Sequence, residues 1–273
     1  MKKTPEEISQ AIRNVVAEMM ERVMNRVLYE DPFIADKHKA EKPLYAILVP
    51  DEIFKGSHFE RRFVTPFGKV WEKLARVAAE QALGFASCGY EIGGTIGARR
   101  LQRIAEVLNR LEHGEKGKKR IKPNWDEEIA YILEVEGEPY PVTVVCDVYT
   151  ENQQTGEKYA FELKSPLPNS DITKVSKEKI FKLYAMNPPQ VTGAFFALPY
   201  NPYGKRENYA WTFPARWFDM KKDKVVLIGD EFWDLIGGTG TYQFFINEIN
   251  ELGEEYRDRI YREYLEIEPH AKN

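Results

Sequence analysis

Apolar residues recur at helical spacing along several stretches of the chain. In residues 5–28 they stand three or four positions apart, at Ile8, Ile12, Val15, Met19, Val23 and Val27. This is the spacing of one face of an α-helix. The same kind of pattern predicts helices at residues 67–84, 98–112, 171–186, 230–236 and 241–267.

Other stretches are rich in β-branched and aromatic residues and predict strands. They are residues 129–135, 142–150, 158–164, 191–198 and 225–228, with residues 43–50 as a further short candidate. Glycines at positions 89, 93, 94 and 97 predict a sharp bend in that segment. Strands interspersed with helices indicate an α/β architecture, in which helices cover a sheet.

A polar stretch rich in lysine and glycine, residues 113–124, separates two parts of different character. Residues 1–124 are predicted to be mainly helical, and residues 125–273 contain the predicted sheet and the C-terminal helices. A length of 273 residues suits one large domain or a catalytic domain with a helical extension. We therefore predict a single domain over residues 1–273, with a subdomain boundary in the polar stretch.

The overall charge gives no argument for a nucleic-acid partner, because the formal net charge is −4. Residues 99–122, however, contain nine Lys/Arg against three Glu, a local net charge of +6. A basic stripe on an acidic protein can bind a phosphate backbone. A solvated helix and loop face is the alternative interpretation of the same stripe.

The two cysteines, Cys88 and Cys146, do not form a CxxC motif or a paired Cys/His spacing. The sequence therefore indicates neither a zinc site nor a disulfide scaffold. The N-terminal residues MKKTPEE contain no apolar signal core, and no apolar stretch is long enough to span a bilayer. We expect a cytoplasmic protein that does not associate with membranes.

Two of the predicted strands form a candidate hairpin that carries charged residues. Residues 142–150 and 158–164 are joined by a short polar loop that ends in Gly156. A turn centred on residues 154 and 155 pairs residues whose numbers sum to 309, which places Asp147 opposite Glu162. Directly opposed Cβ atoms lie about 4.5–5.5 Å apart. Since side chains alternate along a strand, Lys164 lies on the same face as Glu162.

Two adjacent carboxylates repel each other unless a cation neutralises them. Mg²⁺ suits such a pair, because it prefers oxygen ligands, retains waters and is completed by substrate phosphate. A bound metal also helps to form hydroxide from water, and a lysine such as Lys164 can orient that water and neutralise developing charge. Asp147, Glu162 and Lys164 therefore predict a phosphodiester-hydrolysis site, with both carboxylates as metal ligands.

An acidic-x-Lys triplet also arises by chance in a chain of this composition. A second one, Asp219-Met-Lys221, lies in a charged stretch without a partnered strand carboxylate, and we interpret it as a solvated turn. For the hairpin residues, the alternative is an exposed cross-strand ion pair, which contributes little to stability.

The pattern of Asp147 followed by Glu162-Leu-Lys164 resembles the PD-(D/E)xK nuclease superfamily, although Cys146 occupies the place of the usual proline. The chain more specifically resembles the TdeIII family of type II restriction endonucleases. The blocks that carry this resemblance are Ser57–Gly68, Glu162–Asn169 followed by Lys174, Lys177 and Lys179, Pro199–Tyr203, and Glu231–Tyr242.

The resemblance implies a mixed β-sheet flanked by helices, with an N-terminal helical portion. It also implies Mg²⁺-dependent cleavage of double-stranded DNA at a short palindrome of the GGNCC type. A homodimer would match the two-fold symmetry of such a site. Many nucleases of this fold add a carboxylate from an upstream helix, for which we favour Glu72 over Glu60.

Several polar and basic residues are candidates for DNA contact. They are Arg99, Arg100 and Arg103 of the basic stripe, Asn169, Lys174 and Lys177 beside the hairpin, and Asn201 and Arg206 in the loop after residues 191–198. Asn169 is also suited to cap the helix that follows it. Arginine and asparagine can read base edges in the major groove. A solvated helix face and a packed aromatic turn are the alternatives.

We therefore predict a type II restriction endonuclease that cuts duplex DNA. One competing hypothesis is a repair or recombination nuclease of the same fold. Another is a DNA-binding protein without catalytic activity, whose effect on DNA integrity would not depend on Mg²⁺. A third is an unrelated α/β protein in which the hairpin charges form surface ion pairs.

Overall fold

The computed structural model describes residues 5–114 and 121–269, without the side chains of residues 5–9. These residues form two compact units. The first unit is built from Ala75–Tyr242, and the second from the stretches that precede and follow it, up to Leu74 and from Gln243 onward. Among the residues described, no helix has the length and apolar content needed to cross a bilayer.

The first unit contains a five-stranded sheet whose strands follow one another in chain order. They are β1 (Gly84–Gly97), β2 (Pro139–Asn152), β3 (Lys158–Leu163), β4 (Gly193–Leu198) and β5 (Val226–Ile228). The first three strands pair antiparallel, and β3, β4 and β5 pair parallel. The sheet is therefore mixed, as the fold prediction expects.

Within its described residues, this unit contains four complete α-helices beside the sheet. They are α5 (Ala98–His113), α6 (Trp125–Leu133), α7 (Ser170–Ala185) and α8 (Asp230–Gly237). Residues of the sheet and of α5, α6 and α7 form one buried apolar cluster, in which Phe181 of α7 and Phe196 of β4 are fully buried. Burial of this apolar surface holds α7 against the sheet.

The second unit is helical in the part that the structure describes. It contains α1 (Pro5–Asn25), α2 (Ala35–Glu41), α3 (Pro43–Leu48) and α9 (Thr241–Arg259), together with most of α4 (Asp51–Ala82), whose last turns belong to the first unit. Single π-helical turns follow α1 at Arg26–Glu30 and α9 at Ile260–Leu265. Residues Met20, Val23 and Met24 of α1 are among the buried apolar residues.

Most of the predicted elements are confirmed, and three are wrong. Residues 43–50 and 129–135 are not strands, because they fall on helices α3 and α6. The glycine-rich segment is not a bend but lies in strand β1, which pairs with β2 along almost its whole length. Residues 1–124 therefore contain strand β1 besides their helices, and the chain passes between the two units near residues 74 and 242. The predicted single domain over residues 1–273 stays a prediction.

Candidate active site

The β2–β3 hairpin has the register that its sequence predicts. Val148 pairs with Phe161 and Glu151 with Lys158, so that the residue numbers sum to 309. The turn explains this register. The side-chain oxygen of Asn152 accepts hydrogen bonds from the backbone N–H groups of residues 154 and 155, and Gly156 has a φ of +76°, which glycine adopts without strain.

At the other end of the hairpin, the side chain of Asp147 takes the place of a backbone hydrogen-bond acceptor. The paired residues end at Val148 and Phe161, and beyond them Asp147 Oδ2 accepts a hydrogen bond of 2.9 Å from the backbone N–H of Leu163. This bond satisfies a backbone donor that has left the ladder, and it fixes the carboxylate beside the end of β3. The hairpin therefore places the Asp147 carboxylate next to Lys164, which directly follows β3.

Lys164 links the two hairpin carboxylates. Its Nζ lies 2.5 Å from Asp147 Oδ2 and 3.2 Å from Glu162 Oε2. Its backbone N–H donates to the carbonyl of Ala197 on β4, which holds this residue at the edge of the parallel strands. Burial alone would lower the pKa of Lys164, but the two carboxylates outweigh it and raise that pKa, so the side chain remains an ammonium.

Glu162 is the most buried carboxylate of this group, with 2% of its side chain exposed. Besides Lys164, it contacts two residues of α7. Lys179 Nζ lies 2.8 Å from Oε1, and Ser176 Oγ donates to Oε2 at 3.3 Å. Burial raises the pKa of Glu162, and the two lysines oppose this shift. Two lysines thus balance the two carboxylates at this site.

Ser176 and Lys179 are not among the catalytic residues that the sequence predicts. A signal was available, because both follow the hairpin on one short helix and stand three residues apart, on the same helix face. What could not be read from the sequence is which face of α7 turns towards Glu162.

The donor set of this site fits a magnesium ion. No group of three or more His, Cys, Asp or Glu residues that could hold a metal occurs within residues 5–114 and 121–269. Mg²⁺ does not need such a cage, since it is commonly held by one or two carboxylates together with waters and substrate phosphate. Asp147 and Glu162 provide two carboxylates at the open end of a hairpin, which is sufficient for a site completed by a phosphate.

This geometry is accompanied by a family relationship over most of the chain. Residues 8–253 match the family described as "Type II restriction endonuclease, HinfI". The chain belongs to this family. Among its relatives, the type II restriction enzyme HgiCII of Herpetosiphon aurantiacus is 28% identical over 229 residues, which cover 82% of each chain. HgiBI and HgiEI of the same organism are each 27% identical over 222 residues, 78% of this chain and 77% of theirs.

Membership of the HinfI family confirms the predicted enzyme class, a type II restriction endonuclease and therefore a site-specific deoxyribonuclease. The family that matches is that of HinfI, and the predicted TdeIII assignment is not what the match shows.

The predicted third carboxylate of this restriction endonuclease, Glu72, lies on α4 in the second unit. There it forms an ion pair with Lys69, at 2.9 Å, and 13% of its side chain is exposed. Its assignment to the metal site stays a prediction.

Two arginines of the basic stripe form contacts within the fold. Arg100 is buried, pairs with Glu136 and donates to the carbonyls of Val135 and Ala185, so its predicted DNA contact would compete with these bonds and stays a prediction. Arg103 pairs with Glu134 at 2.7 Å and lies 4.2 Å from the ring centroid of Tyr131.

Arg99 is exposed at the start of α5. It remains a candidate for phosphate contact. Residues 115–120, which carry much of the charge of the stripe, lie outside the described residues.

Lys177 is also buried. Its side chain has no exposed surface, and its Nζ donates to Glu128 Oε2 at 2.5 Å and to the carbonyl of Trp217. A DNA contact of Lys177 would have to break these bonds, and it stays a prediction. Its neighbour Lys174 is one-third exposed and pairs with Glu112 at 2.5 Å, so a DNA contact would compete with that pair.

The asparagines of the predicted DNA-binding set have local roles in the structure. Asn169 caps α7, since its side-chain oxygen accepts from the backbone N–H of Ile172 at 2.9 Å. Asn201 Oδ1 accepts from the backbone N–H of Tyr203 at 2.9 Å.

The guanidinium of Arg206 is held from three sides. It donates to the carbonyls of Met220 and Asp223 and pairs with Glu231 at 3.0 Å. The predicted base contacts of Arg206 and of the two asparagines stay predictions that must compete with these internal bonds.

Proposed function

We propose that this chain is a Mg²⁺-dependent endonuclease that hydrolyses phosphodiester bonds of double-stranded DNA at a short palindromic site. The observation that carries the proposal is the convergence of Asp147, Glu162 and Lys164 at the open end of one hairpin. Together with membership of a restriction endonuclease family, this arrangement supports placing the chain in the PD-(D/E)xK superfamily. The finer assignment to the TdeIII family and a GGNCC-type site rest on the sequence resemblance alone.

Asp147 and Glu162 would hold the metal through their carboxylate oxygens. A bound Mg²⁺ supplies Lewis-acid stabilisation of the phosphate oxygens and lowers the pKa of a bound water. Lys164 can donate a hydrogen bond to the attacking water and orient it towards phosphorus. Its positive charge also stabilises the negative charge that develops on the phosphate oxygens, which is worth more in a partly buried site than in water.

Lys179 and Ser176 act on Glu162 rather than on the substrate. The two cations and the hydroxyl around Glu162 favour its ionised form and oppose the rise in its pKa that burial causes. An ionised carboxylate is the form that binds a metal. The α7 residues therefore position and maintain one of the two proposed metal ligands.

A homodimer is part of the proposal, because cleavage of both strands of a palindrome matches a two-fold axis. The second unit offers an apolar surface suited to self-association. Leu44, Ile47 and Leu48 of α3 are 75–80% exposed, and Ile47 and Leu48 follow Leu44 by three and four residues. Exposed apolar side chains that share one helix face can pack against a second copy of the chain. Sedimentation should show a wild-type dimer and a monomeric Ile47→Glu variant; a monomeric wild type contradicts this part.

The catalytic assignment is tested with Asp147→Asn, Glu162→Gln and Lys164→Met. A matched control is Lys221→Met, which removes the lysine of the other acidic-x-Lys triplet. Linear fragments from plasmid DNA in Mg²⁺ are the readout for cleavage, and duplex binding is measured separately in Ca²⁺. We expect the three site variants to bind duplex DNA but not to cut it, and Lys221→Met to cut like the wild type. Full cleavage by any of the three site variants contradicts the assignment.

A further inference from the structure

The second unit contains a groove along helices α1 and α4 that is lined by positive charge. Its cavity volume is about 210 Å³. Five cationic side chains line it, namely Arg22, Arg26, Arg62, Lys69 and Lys73, and no acidic residue is among the described residues that line it. We call this feature the cationic groove.

The cations form two rows along the groove. Arg22 and Arg26, four residues apart, lie at the end of α1 and in the π-helical turn that follows it. Arg62, Lys69 and Lys73 lie on one side of α4, at spacings of seven and four residues. At a rise of 1.5 Å per residue, the row on α4 is about 16 Å long. The charges are thus distributed along a line and do not converge on one point.

The groove retains positive charge after its ion pairs are counted. Arg22, Arg62 and Lys69 pair with Glu18, Asp31 and Glu72 respectively. In the part of the chain that the structure describes, Arg26 and Lys73 form no ion pair, and both are exposed. Five cations and three carboxylates leave a net charge of +2.

The base of the groove is apolar. Met19 and Val23 of α1 and Val70 of α4 line it, and each is at most 5% exposed. A cleft with low-dielectric walls and charge of one sign focuses the electric field and raises the local concentration of anions. The cations along the two helices therefore suit the groove to a polyanion that lies across it.

We propose that the cationic groove binds the phosphate backbone of duplex DNA. This inference rests on the proposed function, since it assigns to the same substrate a second contact surface. The length of the row on α4 corresponds to about five phosphates of one strand, at 3.4 Å of helix axis each. The contact does not depend on base sequence, because phosphates position a protein on DNA without specifying the site.

A distributed row favours DNA over a free phosphate ion. A single phosphate is held by donors that converge on it, as at a helix N-terminus or in a bidentate arginine pair. In the groove the cations instead extend along two helices. Arg100 and Lys177 of the predicted DNA-binding residues are buried in the first unit. Arg26 and Lys73 of the groove, in contrast, are exposed.

The test is the salt dependence of duplex binding. Fluorescence anisotropy with a labelled duplex, without divalent metal, gives the slope of log Kobs against log [NaCl] for the wild type and for R26A/K73A. The matched control is K37A/R76A, which also removes two exposed cations of the second unit and of α4 but lies outside the groove. Removal of two phosphate contacts should reduce the magnitude of the slope by about two units. The control should keep the wild-type slope.

Equal slopes for R26A/K73A and the control overturn the inference, provided that both melt at the wild-type temperature. Stabilisation of the wild type, but not of R26A/K73A, by inorganic phosphate together with unchanged slopes would also overturn it, in favour of a small-anion site. Failure of the proposed function gives a different result. In that case the wild type binds duplex DNA and leaves it uncut in Mg²⁺, and the slopes still decide the role of the groove.

Discussion

Replacement of Lys177 by methionine tests whether this lysine stabilises the fold or contacts DNA. Its ammonium is completely buried between Glu128 and the carbonyl of Trp217, with the rings of Phe181 and Phe218 at 5.2 and 4.9 Å. Methionine fills a similar volume without the charge. The variant therefore leaves Glu128, whose side chain is only 11% exposed, without its cation.

The expected loss of stability is large. Removal of one partner of a buried ion pair costs about 3–5 kcal/mol, because the remaining charge is buried without compensation. Replacement of both partners is commonly close to neutral. Lys177→Met should therefore lower the free energy of unfolding by about 3–5 kcal/mol, and the double variant with Glu128→Gln should recover most of that loss.

The loss should also depend on pH. Burial raises the pKa of Glu128 above its ordinary value, and Lys177 opposes that shift. Without Lys177 the pKa rises further. A carboxyl with a raised pKa in the fold holds its proton there but ionises in the unfolded chain, so stability falls as pH rises from the unfolded pKa through the folded one. The deficit of Lys177→Met should consequently be smaller at pH 5 than at pH 8.

Urea unfolding followed by tryptophan fluorescence at these two pH values measures both effects. The salt slope of duplex binding for the folded variant provides the second readout and should equal that of the wild type. If Lys177→Met is as stable as the wild type and its salt slope is smaller by about one unit, the structural role is refuted and the phosphate contact is supported.

Two further variants test other side chains of the first unit. Lys179→Met should slow cleavage about 10–100-fold, as loss of a group that supports a metal ligand commonly does; Lys182→Met, on the same helix and equally exposed, is its control and should cleave normally. Equal rates for the two variants would mean that the Lys179 contact has no catalytic consequence. Arg206→Ala should cost about 1–3 kcal/mol of stability, because it leaves buried acceptors unsatisfied. The ranking of cognate and single-substituted oligonucleotides tests its predicted base contact separately. Lost discrimination at one base pair without lost stability would instead support base reading by Arg206.

The hairpin could be predicted because its determinants are local. Two apolar strands, an asparagine that bonds to the turn and a glycine at positive φ lie within about twenty residues, and together they fix the register. The positions of Asp147 and Glu162 follow from that register without knowledge of the remaining fold.

Strand β1 and helix α6 were not predicted, for different reasons. Glycines disfavour strands locally, but pairing with β2 from Gly84 to Gly97 overrides this preference. In α6, the apolar residues suggested a strand, although a helix start was visible. Asn124 caps the helix through the backbone N–H of Glu127, and the backbone N–H of Asn124 donates to the side chain of Glu128.

The roles of the α7 lysines depend on packing that the sequence does not state. Thr173, Ser176, Ile180 and Phe181 are buried, and Lys177 lies within this stripe at helical spacing. Only the packing of α6 and α7 in the folded structure shows that Lys177 forms an ion pair with Glu128, a largely buried carboxylate. Because lysine is almost never fully buried, the residue type alone predicts that Lys177 lies on the surface.

All four ionic groups of the candidate site lie within 33 consecutive residues, from Asp147 to Lys179. The proposed catalytic groups therefore lie on a contiguous cassette of strand, turn, strand and helix. Such a cassette forms from contacts that are close in sequence, and short loops have the lowest entropic cost of closure. It can also be inherited as a single unit, while segments outside it change and redirect the same chemistry to different DNA sequences.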